Sequence, residues 1–293
     1  MIDLTVRLRV NWTSQGRPDD DQLSQYRGTA SFRLGTGYIY GIKEPECGHP
    51  CPCSECDGNI TKRHWAFKVK TAHHVVYDTE EAKKTKVDLF YDEATSRKGC
   101  KMASVRGVEV AWSDSDMDFC EMLCVTHDEL LGKQIMSAWR CLDDSKVNPL
   151  YALDLTLMPS FGGDVVSALI VSHPHGQPKK ITVGKLRYQD KCKDGSVIEY
   201  DAPTCPGSSG APVFMFDPEL EEKRCLWVYA SVHSGGFANI TPEAKRQENF
   251  FRKFIQRVKG RNTKPKPKLD QLNYGNDRFG IWRNYFYPTK IDV

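Results

Sequence analysis

Apolar and charged residues alternate along Leu4-Thr5-Val6-Arg7-Leu8-Arg9-Val10. A period of two is that of a strand with one face on a core. Similar patterning predicts strands over residues 30–42, 64–70, 87–91 and 108–112. In the 64–70 run, Trp65, Phe67 and Val69 share one face. The rhythm resumes at 165–171, 181–187, 197–200, 211–216 and 225–232. Two stretches carry a helical stripe instead. Leu130, Leu131, Ile135, Ala138, Trp139 and Leu142 mark a helix over 127–142. Asp128 and Glu129 near its start suit the helix dipole. Phe250, Phe251, Phe254, Ile255 and Val258 mark a second helix within 241–259. The pattern is that of a mainly β chain in two halves, with one helix between them and one after.

Other segments break the rhythm. Residues 17–25 are polar and acidic and predict an exposed loop. Residues 173–180, His-Pro-His-Gly-Gln-Pro-Lys-Lys, predict a turn between strands; no cysteine or acid accompanies its histidines to suggest a metal. Lys264-Pro265-Lys266-Pro267-Lys268 predicts a stiff basic linker. The tail beyond it carries Tyr274, Phe279, Trp282, Tyr285, Phe286 and Tyr287. That is too aromatic for plain disorder and predicts packing on the body or on a partner domain.

Composition changes this picture little. The 293 residues are 40% hydrophobic and 27% charged, with a formal charge of +3. So small a charge gives no reason to expect nucleic acid. No apolar run reaches membrane length, and the first residues lack the pattern of a secretory signal. Eleven cysteines, an odd number, point to a reducing compartment, cytoplasmic or nuclear, rather than to secretion.

Four of those cysteines crowd into Cys47-Gly48-His49-Pro50-Cys51-Pro52-Cys53-Ser54-Glu55-Cys56. Tetrahedral zinc takes four sulfur or nitrogen ligands. The expectation is a structural zinc on Cys47, Cys51, Cys53 and Cys56, with His49 as a substitute ligand. Four protein ligands leave no open position for a catalytic water.

The richest chemistry lies in Thr204-Cys205-Pro206-Gly207-Ser208-Ser209-Gly210-Ala211-Pro212-Val213. Gly207 and Gly210 bracket Ser209 and allow a turn closed to residues with a Cβ. Such a turn exposes one hydroxyl and aims the amides of Gly207 and Ser209 beside it, as an oxyanion hole requires. This phrase resembles the nucleophile loop of the chymotrypsin-like serine peptidases. Thr71-Ala72-His73-His74 after a strand resembles that family's general-base loop and selects His74. Gly35-Thr36-Gly37-Tyr38-Ile39 resembles its opening strand. The family's acid sits at a loop-to-strand junction, and Asp116 fits that position, with Asp114 and Asp118 as alternatives. The chain order His, Asp, Ser is the family's order.

The resemblance spans about residues 28–259. It implies an all-β fold of two six-stranded Greek-key β-barrels of the chymotrypsin type, with an interbarrel helix and a C-terminal helix. The expected layout is a first barrel over 1–124 with the cysteine insertion at 47–56, and a helical connection over 125–150. A second barrel over 151–240, a helix over 241–262, and a linker and tail over 263–293 complete it. It also implies a serine endopeptidase in which Ser209 attacks, His74 shuttles the proton and Asp116 orients the imidazole.

Specificity follows from the same resemblance. Trypsin-like enzymes carry an aspartate six residues before the serine; here that residue is Pro203. Thr204, with Ser231, His233 and Gly235 on a later strand, resembles the pocket of glutamyl endopeptidases and picornaviral cysteine proteases. That pocket implies cleavage after Glu or Gln. The expected partners are a protein or peptide substrate and a regulatory domain, with no membrane. Two other classes compete: an inactive peptidase-like binding module, and a zinc-stabilised interaction domain.

Overall fold

The computed structural model describes residues 2–45, 50–56, 63–93, 102–144, 167–192, 195–216, 228–237 and 272–277. Its first six strands are β1 Thr5–Val10, β2 Arg33–Lys43, β3 Trp65–Thr71, β4 Thr85–Leu89, β5 Ala103–Asp114 and β6 Phe119–Thr126. They close into a barrel in the order β1-β2-β3-β6-β5-β4, all neighbours antiparallel. Closure removes the open strand edges that invite mispairing. The alternation seen in the sequence supplies the interior: Val6, Leu8, Ile39, Phe67, Val69, Val87, Leu89 and Met122 are almost fully buried.

A short helix, α1 Thr79–Lys83, precedes β4, and α2 Glu129–Asp144 follows β6. Asp128 caps α2, its Oδ1 accepting from the amides of Leu130 (2.9 Å) and Leu131 (3.1 Å). Such a cap satisfies donors that a helix start leaves unpaired. Leu131, Ile135 and Met136 of α2 are buried in the first barrel's core. Among the described residues no helix is long and apolar enough to cross a membrane.

The remaining strands are β7 Ser167–Ser172, β8 Lys180–Cys192, β9 Gly195–Tyr200, β10 Pro212–Phe216, β11 Val228–Phe237 and β12 Leu272–Asp277. They close in the order β7-β8-β9-β12-β11-β10, which repeats the strand order of the first barrel. The last strand corrects the sequence reading. Residues 272–277 were expected in a tail outside the barrel, yet they pair with β11 on one side and β9 on the other. Without them both neighbours would end as open edges. The helix expected over 241–259 lies outside the described residues.

Residues 17–25 were expected in an exposed loop, yet Arg17 is buried at 1% exposure, as is Arg7 of β1 at 5%. Arg7 lies on the flank of the first barrel that the second one covers. Its Nε donates to Asp88 (2.8 Å) and its Nη1 to the Gly176 carbonyl (2.6 Å) in the turn between β7 and β8. Its guanidinium stacks 4.0 Å over the Tyr91 ring. A buried guanidinium needs such a partner set.

Candidate active site

β3 ends at Thr71, and the chain turns at once through Ala72, His73 and His74. The turn is closed by the Val75 and Val76 amides donating to the Ala72 carbonyl (3.0 and 3.3 Å). Val75 and Val76 are buried and anchor it. His73 packs its ring on Tyr77, 4.8 Å between centroids. His74 instead faces the turn between β5 and β6. Its backbone amide donates to Asp118 Oδ1 (2.9 Å) and its ring Nδ1 lies 2.8 Å from Asp118 Oδ2. A carboxylate only accepts, so Nδ1 carries the proton and Nε2 keeps its lone pair. The Asp118 side chain is 4% exposed and that of His74 32%.

Asp116, the acid favoured from sequence, does not reach His74. The turn's construction explains why. Asp114 ends β5 and its Oδ1 accepts from the amides of Asp116 and Met117, both at 2.9 Å. This Asx turn leaves Asp116 exposed at the tip and buries Met117. Asp118 then takes a left-handed φ of 48°, which brings its carboxylate to the base of the turn. Asp114, Asp116 and Asp118 all stand in phase with Cys120, Met122 and Cys124, which alternate inward at 0% exposure, so that period alone does not rank the three.

The serine turn belongs to the second barrel. It connects β9 to β10 and holds itself by Ser208 N–H to Cys205 O and Ala211 N–H to Ser208 O, both 3.0 Å. Gly207 and Gly210 have φ of +97° and +85°, backbone that disfavours any other residue. Close packing adds to this. A Cβ at Gly210 would stand 2.1 Å from both Thr36 O and Thr71 Oγ1, and 3.0 Å from the Ala72 amide. The serine turn therefore presses on the first barrel at the residues that lead into His74. Thr36 of β2 joins the two: its amide donates to Ser209 O (2.8 Å) and its hydroxyl to Gly207 O (2.8 Å). On the other flank the His175 amide donates to Pro206 O (2.6 Å). The neighbouring Ser208 is buried, its hydroxyl donating to Ser172 Oγ (3.0 Å), whereas Ser209 is half-buried.

β11 runs beside this turn. His233 exchanges backbone hydrogen bonds with it, accepting from Gly210 N–H (2.7 Å) and donating to Ala211 O (2.8 Å). Its side chain is buried, with Nδ1 2.7 Å from the Tyr200 hydroxyl. Burial pushes the Tyr200 phenol well up, so it stays neutral. Tyr200 had no place in the sequence reading of the pocket. Thr204 is half-buried in the loop before the turn. Gly235 pairs with Tyr274 of β12, across a register shift from His233. Ser231 pairs with Val213, and its side chain lies outside what the structure describes.

A second cluster forms at the far end of β6. Cys51, Cys53, Cys56 and His127 bring three sulfurs and one ring nitrogen within 4.8 Å of one another. His127 Nε2 lies 3.5, 3.6 and 3.1 Å from the sulfurs of Cys51, Cys53 and Cys56. Tetrahedral zinc, with Zn–S near 2.3 Å and Zn–N near 2.0–2.1 Å, separates a bound nitrogen from a bound sulfur by about 3.6 Å. The residues thus fit a metal of that class. The His127 Nδ1 lies 2.9 Å from the Arg63 carbonyl, which can only accept, so Nε2 is left bare toward the sulfurs. The fourth ligand atom of this cluster comes from His127, 71 residues from Cys56 and not among the ligands expected from the sequence. Cys47 and His49 lie outside the described residues.

No family model and no curated protein matches the chain. Among solved structures it is similar to Deg5, at 14% identity and TM-score 0.40, over 80% of each chain. It is similar to the HtrA-type protease AlgW with a tripeptide, at 14% identity and TM-score 0.40, over 79% of this chain and 50% of that one. It is also similar to the inactive form of the Rv3671c protease, at 15% identity and TM-score 0.36, over 82% and 80%. The chain spans about half the length of AlgW. At such distances function has to be read from the site itself.

Proposed function

We propose that the chain is a serine endopeptidase of the chymotrypsin type, with Ser209 as nucleophile, His74 as general base and Asp118, in place of Asp116, as the orienting acid. The observation that carries this is the double grip of Asp118 on His74, beside a glycine-bracketed serine turn packed on the same loop. The repeated strand order supports two Greek-key barrels, with the site where they meet.

In this reading Ser209 Oγ attacks the scissile carbonyl carbon and its proton passes to His74 Nε2. Asp118 fixes the tautomer and stabilises the imidazolium. The amides of Gly207 and Ser209 are not taken by any backbone acceptor among the described residues, so they are free to stabilise the oxyanion. One such donor is worth about 3 kcal/mol or more. His74 then returns the proton to the leaving amine, and water repeats the cycle on the acyl-enzyme.

The substrate pocket is read as one for glutamate or glutamine. The Tyr200 hydroxyl donates to His233 Nδ1, and the Nε2–H of His233 then serves a substrate oxygen, with Thr204 as a second donor. Ser231 and Gly235 belong to the same strand. Zinc is a structural ion here, held by Cys51, Cys53, Cys56 and His127, and no step of the reaction passes through it. The partner is a protein or peptide substrate, and the compartment a reducing one.

The test is cleavage of a peptide library by the purified chain and by Ser209→Ala. Cuts after Glu or Gln that vanish in the variant are expected. Cuts that persist in Ser209→Ala overturn the nucleophile, and a preference for Arg, Lys or large aromatics overturns the pocket.

A further inference from the structure

Asp118 holds His74 from one side only, at its amide and at Nδ1. The opposite side is held by residues that no part of the proposed chemistry uses. Arg17 Nη2 donates to the His74 carbonyl (3.1 Å). Arg33 Nε donates to the next carbonyl, that of Val75 (3.1 Å). Both guanidinium groups converge on Glu81. Arg17 meets its two oxygens at 2.6 and 2.8 Å, and Arg33 Nη2 binds Oε2 as well. Glu81 Oε2 also accepts from the Tyr77 amide (2.8 Å), and Oε1 from the Ser14 amide (2.9 Å). One fully buried carboxylate thereby gathers residues 74, 75 and 77 of the loop, directly or through an arginine.

Each part of this cage comes from a different element. Arg17 sits on a flap after β1, closed by the Thr13–Thr29 bridge. Its Nη1 is held by Asp21 (2.9 Å) and its guanidinium lies over the Tyr77 ring, 5.1 Å from the centroid. Arg33 opens β2 and donates also to the Trp12 carbonyl (2.8 Å). Glu81 is the third residue of α1, whose cap Asp78 accepts the Glu81 amide (3.1 Å). Burial alone would drive such groups neutral; the carboxylate's pKa is lowered nonetheless, because the two arginines outweigh its desolvation.

We infer that Arg17, carried by Glu81, is a positioning residue for His74. With it in place the amide, the carbonyl and Nδ1 of His74 are all fixed, and Nε2 is the one polar atom of that residue left for chemistry. A reacting atom displaced by about 1 Å can cost on the order of a hundredfold in rate, so a loop held at both ends favours turnover beyond any gain in stability. This rests on the reading of His74 as general base, and the test separates the two.

The decisive variant is Arg17→Lys. An ammonium keeps a charge beside Glu81 but cannot span Glu81, Asp21 and the His74 carbonyl together. Arg17→Met removes the donor to the His74 carbonyl outright, while Arg33 still pairs with Glu81 so that the buried carboxylate is not left alone. Rates are normalised to titrated active sites, and the His74 ring resonances are followed by NMR across pH in the same proteins. The expected result is kcat lower by about ten- to a hundredfold with KM nearly unchanged, a smaller loss for Arg17→Lys than for Arg17→Met, and a displaced His74 titration. Folded variants with parental kcat per site and a superimposable His74 titration would overturn the inference and leave the cage purely structural. If the parent hydrolyses nothing, the peptidase reading falls by itself, and the NMR titration still decides whether the cage positions His74.

Discussion

Asp118 takes two hydrogen bonds from one residue, the backbone amide and the ring Nδ1 of His74. The pairing fixes ring orientation and tautomer at once, which a single contact to the ring would not. Asp118→Asn should therefore lower kcat by roughly 10³–10⁴-fold, because an amide can donate to Nδ1 and stabilise the wrong tautomer. Asp116→Asn, at the exposed tip of the same turn, should leave kcat within about twofold, as surface changes away from a site usually do. Steady-state kinetics on the two variants decide between the acids.

The Tyr200–His233 pair predicts a specificity effect that spares the nucleophile. Tyr200→Phe removes the hydroxyl 2.7 Å from Nδ1 and lets the imidazole choose the other tautomer. Loss of one buried hydrogen bond costs about 1–3 kcal/mol. Turnover of Glu and Gln peptides should fall by about ten- to a hundredfold, while the rate of Ser209 with a small fluorophosphonate stays near that of the parent. Equal losses on both reagents would place Tyr200 in the general fold rather than in the pocket.

The cysteine cluster predicts one zinc per chain by metal analysis, from the four-ligand rule. His127→Ala should lose it even though all the cysteines remain, and should lower the melting temperature, since metal binding couples to folding. Full zinc content in that variant would return the fourth position to the cysteine-rich stretch itself.

His173 predicts how stability depends on acid. Burial holds its imidazole down to about 4, against an ordinary 6.5. Its ring stacks on Tyr91, 6.0 Å between centroids. Below pH 6.5 the unfolded chain binds a proton there that the folded chain refuses, so unfolding is favoured as pH falls from 6.5 toward 4. The full effect is on the order of 3 kcal/mol. Glu81 and Asp88, both lowered by their arginines against the cost of burial, add a loss at lower pH, below their ordinary carboxylate values. Denaturant titrations across this range should show His173→Gln with a shallower slope between pH 6.5 and 4 than the parent. Parallel slopes would contradict the assignment.

Much of this architecture is legible in local pattern. Strands such as 4–10 and 64–70 write their buried face as a period of two, and the glycines around Ser209 announce a turn that needs positive φ. What escapes is set by partners far along the chain. Arg17 reads as a surface residue in a polar run because its partner Glu81 is 64 residues away. His127 reads as part of a helix start because its sulfur neighbours precede it by more than 70 residues. The strand at 272–277 hides behind a proline-lysine linker, and its role appears only when β9 and β11 need a neighbour. Asp116 was preferred to Asp118 because three aspartates in five residues share one local signature, and only the turn geometry shows which of them reaches His74.

The central claim, a Ser209 nucleophile activated by His74 and Asp118, is tested most directly by covalent labelling with a fluorophosphonate followed by peptide mapping. The parent chain should carry one adduct, on Ser209. Labelling should vanish in Ser209→Ala, slow by orders of magnitude in His74→Ala and Asp118→Asn, and proceed at the parental rate in Asp116→Asn. An unlabelled parent, or an adduct on any residue other than Ser209, would contradict it.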